Sequence, residues 1–407
     1  MLLLLPLGLL LAFAIARDGA VLAFDANLCY AGIGMAALAA SWQRAKNFPT
    51  RWILLLAAPV ALALLQTIPL PLAVLSILSP ARARSLEGLA GFASLSVTPA
   101  ATLQMAVRLA AAGLLFLLVR EVVRRRAMNP WIAAAPLVVL GLLEGILGLA
   151  QQAAGAAKDG ATGSYVNRNH FAGLLEMCLP LAVGAAIHHT RKLAVCWGAA
   201  AASLVMLAAL FGSLSRAGLA AASVGLVALA WLELPAKHRR YVLVPIGLLL
   251  AAFLVLAPAR MGERLTGGDL SFAARLDIWR ETLTLIAHYP LFGCGLGGFE
   301  SGVQLYRAAL PDFRVDFAHN DYLQILAEAG LAGGIAAGAF LLTGIRTAVQ
   351  ALPFPTGRAA ACSGLALLVH GLADFNLYIP ANLLTFAWVA GITAGLVRTS
   401  KATAGAS

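Results

Sequence analysis

Residues 193–234 read LAVCWGAAAASLVMLAALFGSLSRAGLAAASVGLVALAWLEL, two apolar runs joined by a short turn that carries one charge, Arg216. Each run is long enough to cross a ~30 Å hydrocarbon core as a helix, and neither alternates as a half-buried strand does. The pair reads as a transmembrane hairpin with an arginine at its tip. Runs of the same kind recur on both sides of it. Twelve spans are expected, at 1–16, 20–40, 52–78, 103–119, 131–152, 171–188, 193–212, 217–234, 241–258, 321–345, 359–373 and 382–397. Gly and Ala are frequent in them, which suits close helix packing in lipid. The expected fold is an all-α polytopic membrane bundle.

Composition supports this class. Of 407 residues, 61 % are hydrophobic and only 12 % charged, about half the charge of a soluble domain. A soluble enzyme on one anchor is excluded. No polar stretch is long enough for a second domain, so 1–407 is expected to be a single membrane domain with 259–320 as its one large loop. The opening run, MLLLLPLGLLLAFAIA, lacks a basic flank and another apolar run follows at once, so it reads as an uncleaved first span. The net charge is +11, but the basic residues are scattered between spans. They suit anionic lipid head groups and exclude a nucleic-acid partner. Of Cys29, Cys178, Cys196, Cys294 and Cys362, only Cys294 falls in a polar loop, so neither a disulfide framework nor a metal-type spacing follows.

Orientation comes from the short loops. Arg44, Lys46 and Arg51; Arg120, Arg124, Arg125 and Arg126; Arg191 and Lys192; Lys237, Arg239 and Arg240; Arg346 and Arg358; Arg398 and Lys401 all fall on one side. The positive-inside rule makes that side cytoplasmic, with both termini inside. The opposite side holds loops 79–100, 153–170, 213–216, 259–320 and 374–381. Arginine outnumbers lysine in the long loop, which suits two-pronged phosphate binding and equally suits a composition that favours arginine everywhere. Residues 272–288, FAARLDIWRETLTLIAH, form an amphipathic helix. Phe272, Leu276, Trp279, Leu283 and Ile286 make its apolar face, and Asp277, Arg280, Glu281 and His288 fall largely opposite. Such a helix is expected at the bilayer surface.

Among seven histidines, His319 alone stands at the end of a long outer loop where a span begins. A histidine near neutrality in such a place suits a general base, or a helix start. His188, His189 and His238 lie at the opposite edge, His370 reads as a packed or hydrogen-bonded span residue, and His170 is a weaker candidate. Arg216 is costly in so short a turn unless paired. A phosphate would pair it; so would Glu328 or Asp374, or it snorkels to the interface. Asp25, Glu144, Glu176 and Glu328 lie in or near spans and mark either an ion path or paired structural groups. Gly293, Gly295, Gly297 and Gly298 have no βαβ context, so a dinucleotide loop is discounted.

Four outer segments together resemble a known pattern. NRNHFAG (167–173), SLSRAG (213–218), RLDIWRETLTLIAHYPLFGCGLGGFE (275–300) and HNDYLQILAEAGLAGG (319–334) are similar, in order and in topological side, to blocks of the O-antigen ligase and polymerase superfamily. The resemblance runs from about residue 160 to 335. It implies a GT-C-like bundle of about twelve helices in the bacterial inner membrane, with one large periplasmic loop and the active site facing the periplasm. It implies a glycosyltransferase that moves O-antigen from undecaprenyl pyrophosphate to lipid A–core, completing lipopolysaccharide without a cofactor. Polymerases and protein O-oligosaccharyltransferases share these blocks; the short sequence after span twelve favours a ligase or polymerase. A small-anion transporter working through the intramembrane acids is the reading from another class.

The same resemblance implies roles. His319 would be the catalytic base, with Arg216 and Arg275 on the pyrophosphate and Arg168 and Arg280 in support. Asn167, Asn169, His170, Asn320, Tyr322 and Asp374 would line the substrates. The first outer loop offers only Arg17-Asp18-Gly19 and lacks the paired acids common in metal-dependent membrane glycosyltransferases. Metal-independent, inverting transfer is therefore expected.

Overall fold

The computed structural model describes residues 3–42, 49–125, 129–157, 159–239, 247, 272–307 and 314–397. In chain order the long elements are α1 (Leu4–Ala16), α2 (Ala23–Trp42), α3 (Thr50–Thr67), two short helices α4 (Leu72–Leu78) and α5 (Pro80–Arg84), then α6 (Pro99–Arg124), α7 (Trp131–Ala153), α8 (Arg168–His188), α9 (Leu193–Gly212) and α10 (Arg216–Glu233). After them come α11 (Phe272–His288), the short α12 (Phe299–Val303), α13 (Asp321–Ala351), α14 (Pro355–His370) and α15 (Pro380–Leu396). Among the described residues, α2, α3, α6, α7, α8, α9, α10 and α13 are the 8 helices long and apolar enough to cross a membrane, and α1 and α15 are shorter apolar helices. The expected spans fall on helices except 52–78, which is interrupted, and 241–258, which lies outside the described residues apart from Gly247.

One expected span is corrected. The run 52–78 does not continue as one helix: α3 ends at Thr67. Pro69 and Pro71 remove two backbone donors and disfavour helix in the residues before them. The chain instead makes a two-residue antiparallel ladder, Leu70 opposite Ala93 and Pro71 opposite Phe92.

In the bundle, α6 packs along α15 and α3, and α8 along α9, α14 and α10. Small residues permit the close crossings. A Cβ on Gly391 of α15 would meet the Phe116 carbonyl of α6 at 2.9 Å. These pairings gather the starts of α6, α8, α10, α13 and α15 and the end of α14 at one end of the bundle. The other end carries the basic side, where Arg358 at the start of α14 pairs with Glu233 at the end of α10 at 2.8 Å.

The helix α13 is broken. Gly330 has φ +60° in its middle, and a side chain there would run into the backbone of Leu291 and Gly293. The PLFG turn enters the gap: Leu331 N–H donates to Pro290 O at 2.8 Å and Ala332 N–H to Leu291 O at 3.0 Å. Carbonyls left free by the break need partners, because lipid offers none. Cys294 and Gly295 N–H groups donate to the Ala327 and Glu328 carbonyls, and Gln66 Nε2 donates to Phe292 O and Glu328 O. The glycine-rich PLFGCGLGGFE segment is thus a plug that lets α13 bend.

Two expectations about the large loop change. In α11 the buried line is Ile278, Glu281, Thr282 and Leu285, not the one through Leu283, which is 54 % exposed. The helix is turned toward α13, on which it packs, and Trp279 Nε1 donates to Ala318 O at 2.9 Å. Cys294, expected in a polar loop, is fully buried in a core with Ile278, Leu285, Tyr289 and Phe299. Burial, and next to it the Glu328 charge, push its thiol well above the ordinary range. A membrane-impermeant maleimide should therefore leave Cys294 unmodified in folded protein and react only after denaturation. Rapid native labelling, read by peptide mass spectrometry, would contradict this packing.

Candidate active site

The site is built where α13 begins. Asn320 is its N-cap: Oδ1 accepts from the Tyr322 and Leu323 N–H groups, each at 3.0 Å, and Nδ2 donates to Leu372 O at 2.9 Å. Capping directs the chain before it back over the end of α14. His319 consequently sits at φ +49°, a region that histidine enters more readily than most residues. Its Nδ1 is buried and stands 3.5 Å from Asp374 Oδ1, an ion-pair distance. The side chain is 19 % exposed, and Nε2, unlike Nδ1, is not among the buried unpaired atoms. One nitrogen is oriented by a carboxylate and the other is free to meet a ligand.

Asp374 is fully buried on the loop between α14 and α15. Burial opposes its charge, but the His319 imidazole beside it, with His170 and His370 nearby, holds its carboxyl below the ordinary carboxylate range. Oδ1 also accepts from Phe375 N–H at 2.9 Å, while Oδ2 has no hydrogen-bond partner. Phe375 is the hub. It stacks on Phe317 at 4.0 Å and meets the edges of His170 at 4.8 Å and His319 at 4.9 Å. Behind them, His370 Nδ1 lies 2.9 Å from Glu176 Oε2, both side chains at 0 % exposure.

Two arginines approach from different elements. Arg275 of α11 donates through Nη1 to Ala373 O at 2.8 Å, which ties the loop helix to the Asp374 segment, and its buried Nε makes no hydrogen bond. Arg216 opens α10, exposed behind the Ser215 cap, whose Oγ accepts from Gly218 N–H at 3.1 Å. It has no ion pair with a described residue, and the alternative pairing with Glu328 or Asp374 is not made. Its helix start lies at the same bundle end, since a Cβ on Gly218 would be 3.4 Å from His370 Cε1.

The other expected site residues have evident local work. Asn167 caps α8 by accepting from Asn169 N–H at 2.7 Å. Arg168 donates to Asp159 O. Asn169 is buried. Tyr322 OH donates to Leu368 O at 2.7 Å. Arg280 is 73 % exposed and pairs with Asp277 at 2.5 Å. Glu328, read as a possible ion-path acid, accepts from Gly297 N–H, Phe299 N–H, Gln324 Nε2 and Tyr378 OH at 2.8–3.2 Å.

Sequence reasoning did not single out Phe375 as a hub, Gln66 as the clamp on the plug, or Glu176 as the partner of His370. The available signal for Glu176 was an acid inside an apolar run with a histidine in another. Compared with known families, residues 201–338 match the O-antigen ligase family model. This stretch, about a third of the chain, contains Arg216, Arg275 and His319. Among curated proteins, none matches the chain.

Proposed function

We propose, starting from the O-antigen ligase pattern of residues 201–338, that this chain transfers a glycan from undecaprenyl pyrophosphate to a hydroxyl of lipid A–core on the periplasmic face of a bacterial inner membrane. The observation that carries the mechanism is the division of the His319 ring, with Nδ1 against Asp374 and Nε2 open. In the step, the acceptor O–H gives its proton to His319 Nε2 as the oxygen bonds to the anomeric carbon. The bond from that carbon to the pyrophosphate oxygen breaks, and its electron pair leaves with the pyrophosphate. Attack from the opposite face inverts the centre. Asp374 steadies the imidazolium. Arg216 and Arg275 stabilise the departing charge, which two-pronged guanidinium contacts suit better than a lysine would.

The test is transfer by purified protein supplied with lipid-linked glycan and rough lipopolysaccharide. Glycan should appear on lipid A–core and the reaction should survive EDTA. Extension of one lipid-linked chain by another, with lipopolysaccharide unmodified, would instead make this a polymerase. Loss with EDTA and recovery with Mg²⁺ or Mn²⁺ would reject a scheme in which arginines alone carry the pyrophosphate charge. Anion uptake into liposomes without transfer would favour a transporter.

A further inference from the structure

A buried charge stands unpaired at the other, basic end of the bundle. Arg120, near the end of α6, is 1 % exposed, yet its Nε and Nη1 make no hydrogen bond with any described residue. Neither does Nε1 of Trp52 in α3, a residue 2 % exposed. Glu121, the acid beside Arg120 in the chain, is taken by Arg124 and Arg125 at 2.8 and 3.1 Å. Buried polar atoms are rarely left unpaired without a reason, and a charge within a span still more rarely.

Helix register brings these donors together. A Cβ on Gly113 of α6 would be 3.4 Å from Leu56 Cβ of α3, and Phe116 meets Trp52 with ring centroids 4.9 Å apart. Arg120 lies on the same stripe of α6, one turn past Phe116 and two past Gly113. The antiparallel register therefore sets it level with Pro49 and Thr50, where α3 begins. On the other side α15 closes off α6, since a Cβ on Gly395 would meet Arg120 O at 2.7 Å. Side chains on a helix lean toward its N-terminus, so the Arg120 stem runs inward toward Trp52 rather than out to water. The start of α3 adds backbone donors. Pro49 gives no side-chain cap and its carbonyl takes the Trp52 and Ile53 N–H groups. The Thr50 and Arg51 N–H groups then have no helical acceptor. The exposed Arg51 guanidinium lies over the Trp52 ring, 5.6 Å from its centroid.

We propose that Arg120, Trp52 and the start of α3 hold the phosphate of an anionic phospholipid from the leaflet at this end of the bundle. A guanidinium, an indole N–H and the first amides of a helix are all donors, and one oxyanion with several acceptor oxygens answers them together. Entry is from lipid rather than from water. Beside Trp52, Ile53 and Leu54 are 44 % and 64 % exposed on the outside of the bundle, and Arg51 adds a cation at the rim. A lipid phosphate reaches such a site without leaving the membrane, and its acyl chains continue along α3. Basic pockets between spans on the cytoplasmic side hold anionic head groups in this way. The site is at the opposite end of the bundle from His319 and is independent of the glycan-transfer reading.

The test is lipid binding by purified full-length protein, delipidated in a non-ionic detergent. It is titrated with phosphatidylglycerol, phosphatidylcholine or inorganic phosphate, and followed by native mass spectrometry and thermal unfolding. Phosphatidylglycerol should stay bound and raise the unfolding temperature. Phosphatidylcholine, whose choline offsets the phosphate charge, should do less, and inorganic phosphate should do less at the same concentration. Arg120→Met should weaken phosphatidylglycerol binding by about tenfold or more, as loss of hydrogen bonds from a charged group does. Trp52→Phe keeps the ring against Phe116 and removes the donor, and should weaken binding about three- to tenfold. Arg191→Gln, which removes an exposed cation at the same end, should leave it unchanged. Wild-type affinity in a folded Arg120→Met protein overturns the site, and should that variant not fold, wild-type affinity in Trp52→Phe does so. Equal stabilisation by inorganic phosphate or by phosphatidylcholine overturns the anionic lipid as occupant, and that comparison needs no variant.

Discussion

His319→Ala should slow glycan transfer by about 10²–10⁴-fold, the span that a positioned general base contributes, with donor affinity near that of wild type. The reason is where charge changes. The acceptor hydroxyl loses a proton only as the bond forms, and Nε2 is the open atom placed to take it, with Nδ1 held against Asp374. The donor carries its pyrophosphate charge before the reaction, so its binding depends on the arginines instead. Arg216→Ala and Arg275→Ala should weaken donor binding as well as transfer, and lysine should restore either only in part. The two arginines should also differ from each other. Arg216 has no described partner, so its loss should leave folding intact, whereas Arg275 also holds Ala373 O, next to Asp374. The measurement is donor affinity and single-turnover rate for each purified variant. A folded His319→Ala protein that transfers at the wild-type rate would remove His319 from the mechanism.

How much of this was legible beforehand follows the range of the interactions involved. Hydropathy runs depend on local composition, so the described helices that match expected spans, and α11, were readable to within about a turn. The exception at 68–71 was signalled by Pro69 and Pro71, and was missed because their neighbours are as apolar as the spans around them. Among site residues, His319 was readable from its place at a loop-to-helix junction. Its orientation was not, because that depends on Asp374 more than fifty positions later and on the turn forced by the Asn320 cap. The pairing of Glu176 with His370 was equally invisible, since periodicity says which face a residue occupies and nothing about which helix packs there. The rotation of α11 goes with long-range contacts, the Trp279 indole on the Ala318 carbonyl and Arg275 on the Ala373 carbonyl, which no helical-wheel argument contains.

Glu328→Ala should destabilise the protein by about 3–5 kcal/mol, as loss of one partner in a buried charged network does. In sequence this residue was an intramembrane acid with two readings, an ion path or a paired structural group. Its side chain accepts four hydrogen bonds, two from the plug at Gly297 and Phe299, one from Gln324 a turn earlier in α13, and one from Tyr378 on the segment entering α15. Alanine would strand all four donors in a site where Glu328 itself is 1 % exposed. The damage should be local first. The plug fills the break at Gly330, so its release would free the Pro290 and Leu291 carbonyls from Leu331 and Ala332 and loosen the short turn of α13 that carries Asn320. Glu328→Gln should cost less, because it keeps one oxygen acceptor, but its amide would oppose donors that now point at Oε1 or Oε2. Thermal unfolding in detergent should therefore rank wild type above Glu328→Gln above Glu328→Ala. In the same order, Cys294, whose amide bonds Ala327 O beside the plug, should become open to maleimide. An ion-path acid behaves otherwise: its alanine variant would lose activity while unfolding at the wild-type temperature with Cys294 still protected, and that result would rule out the structural role.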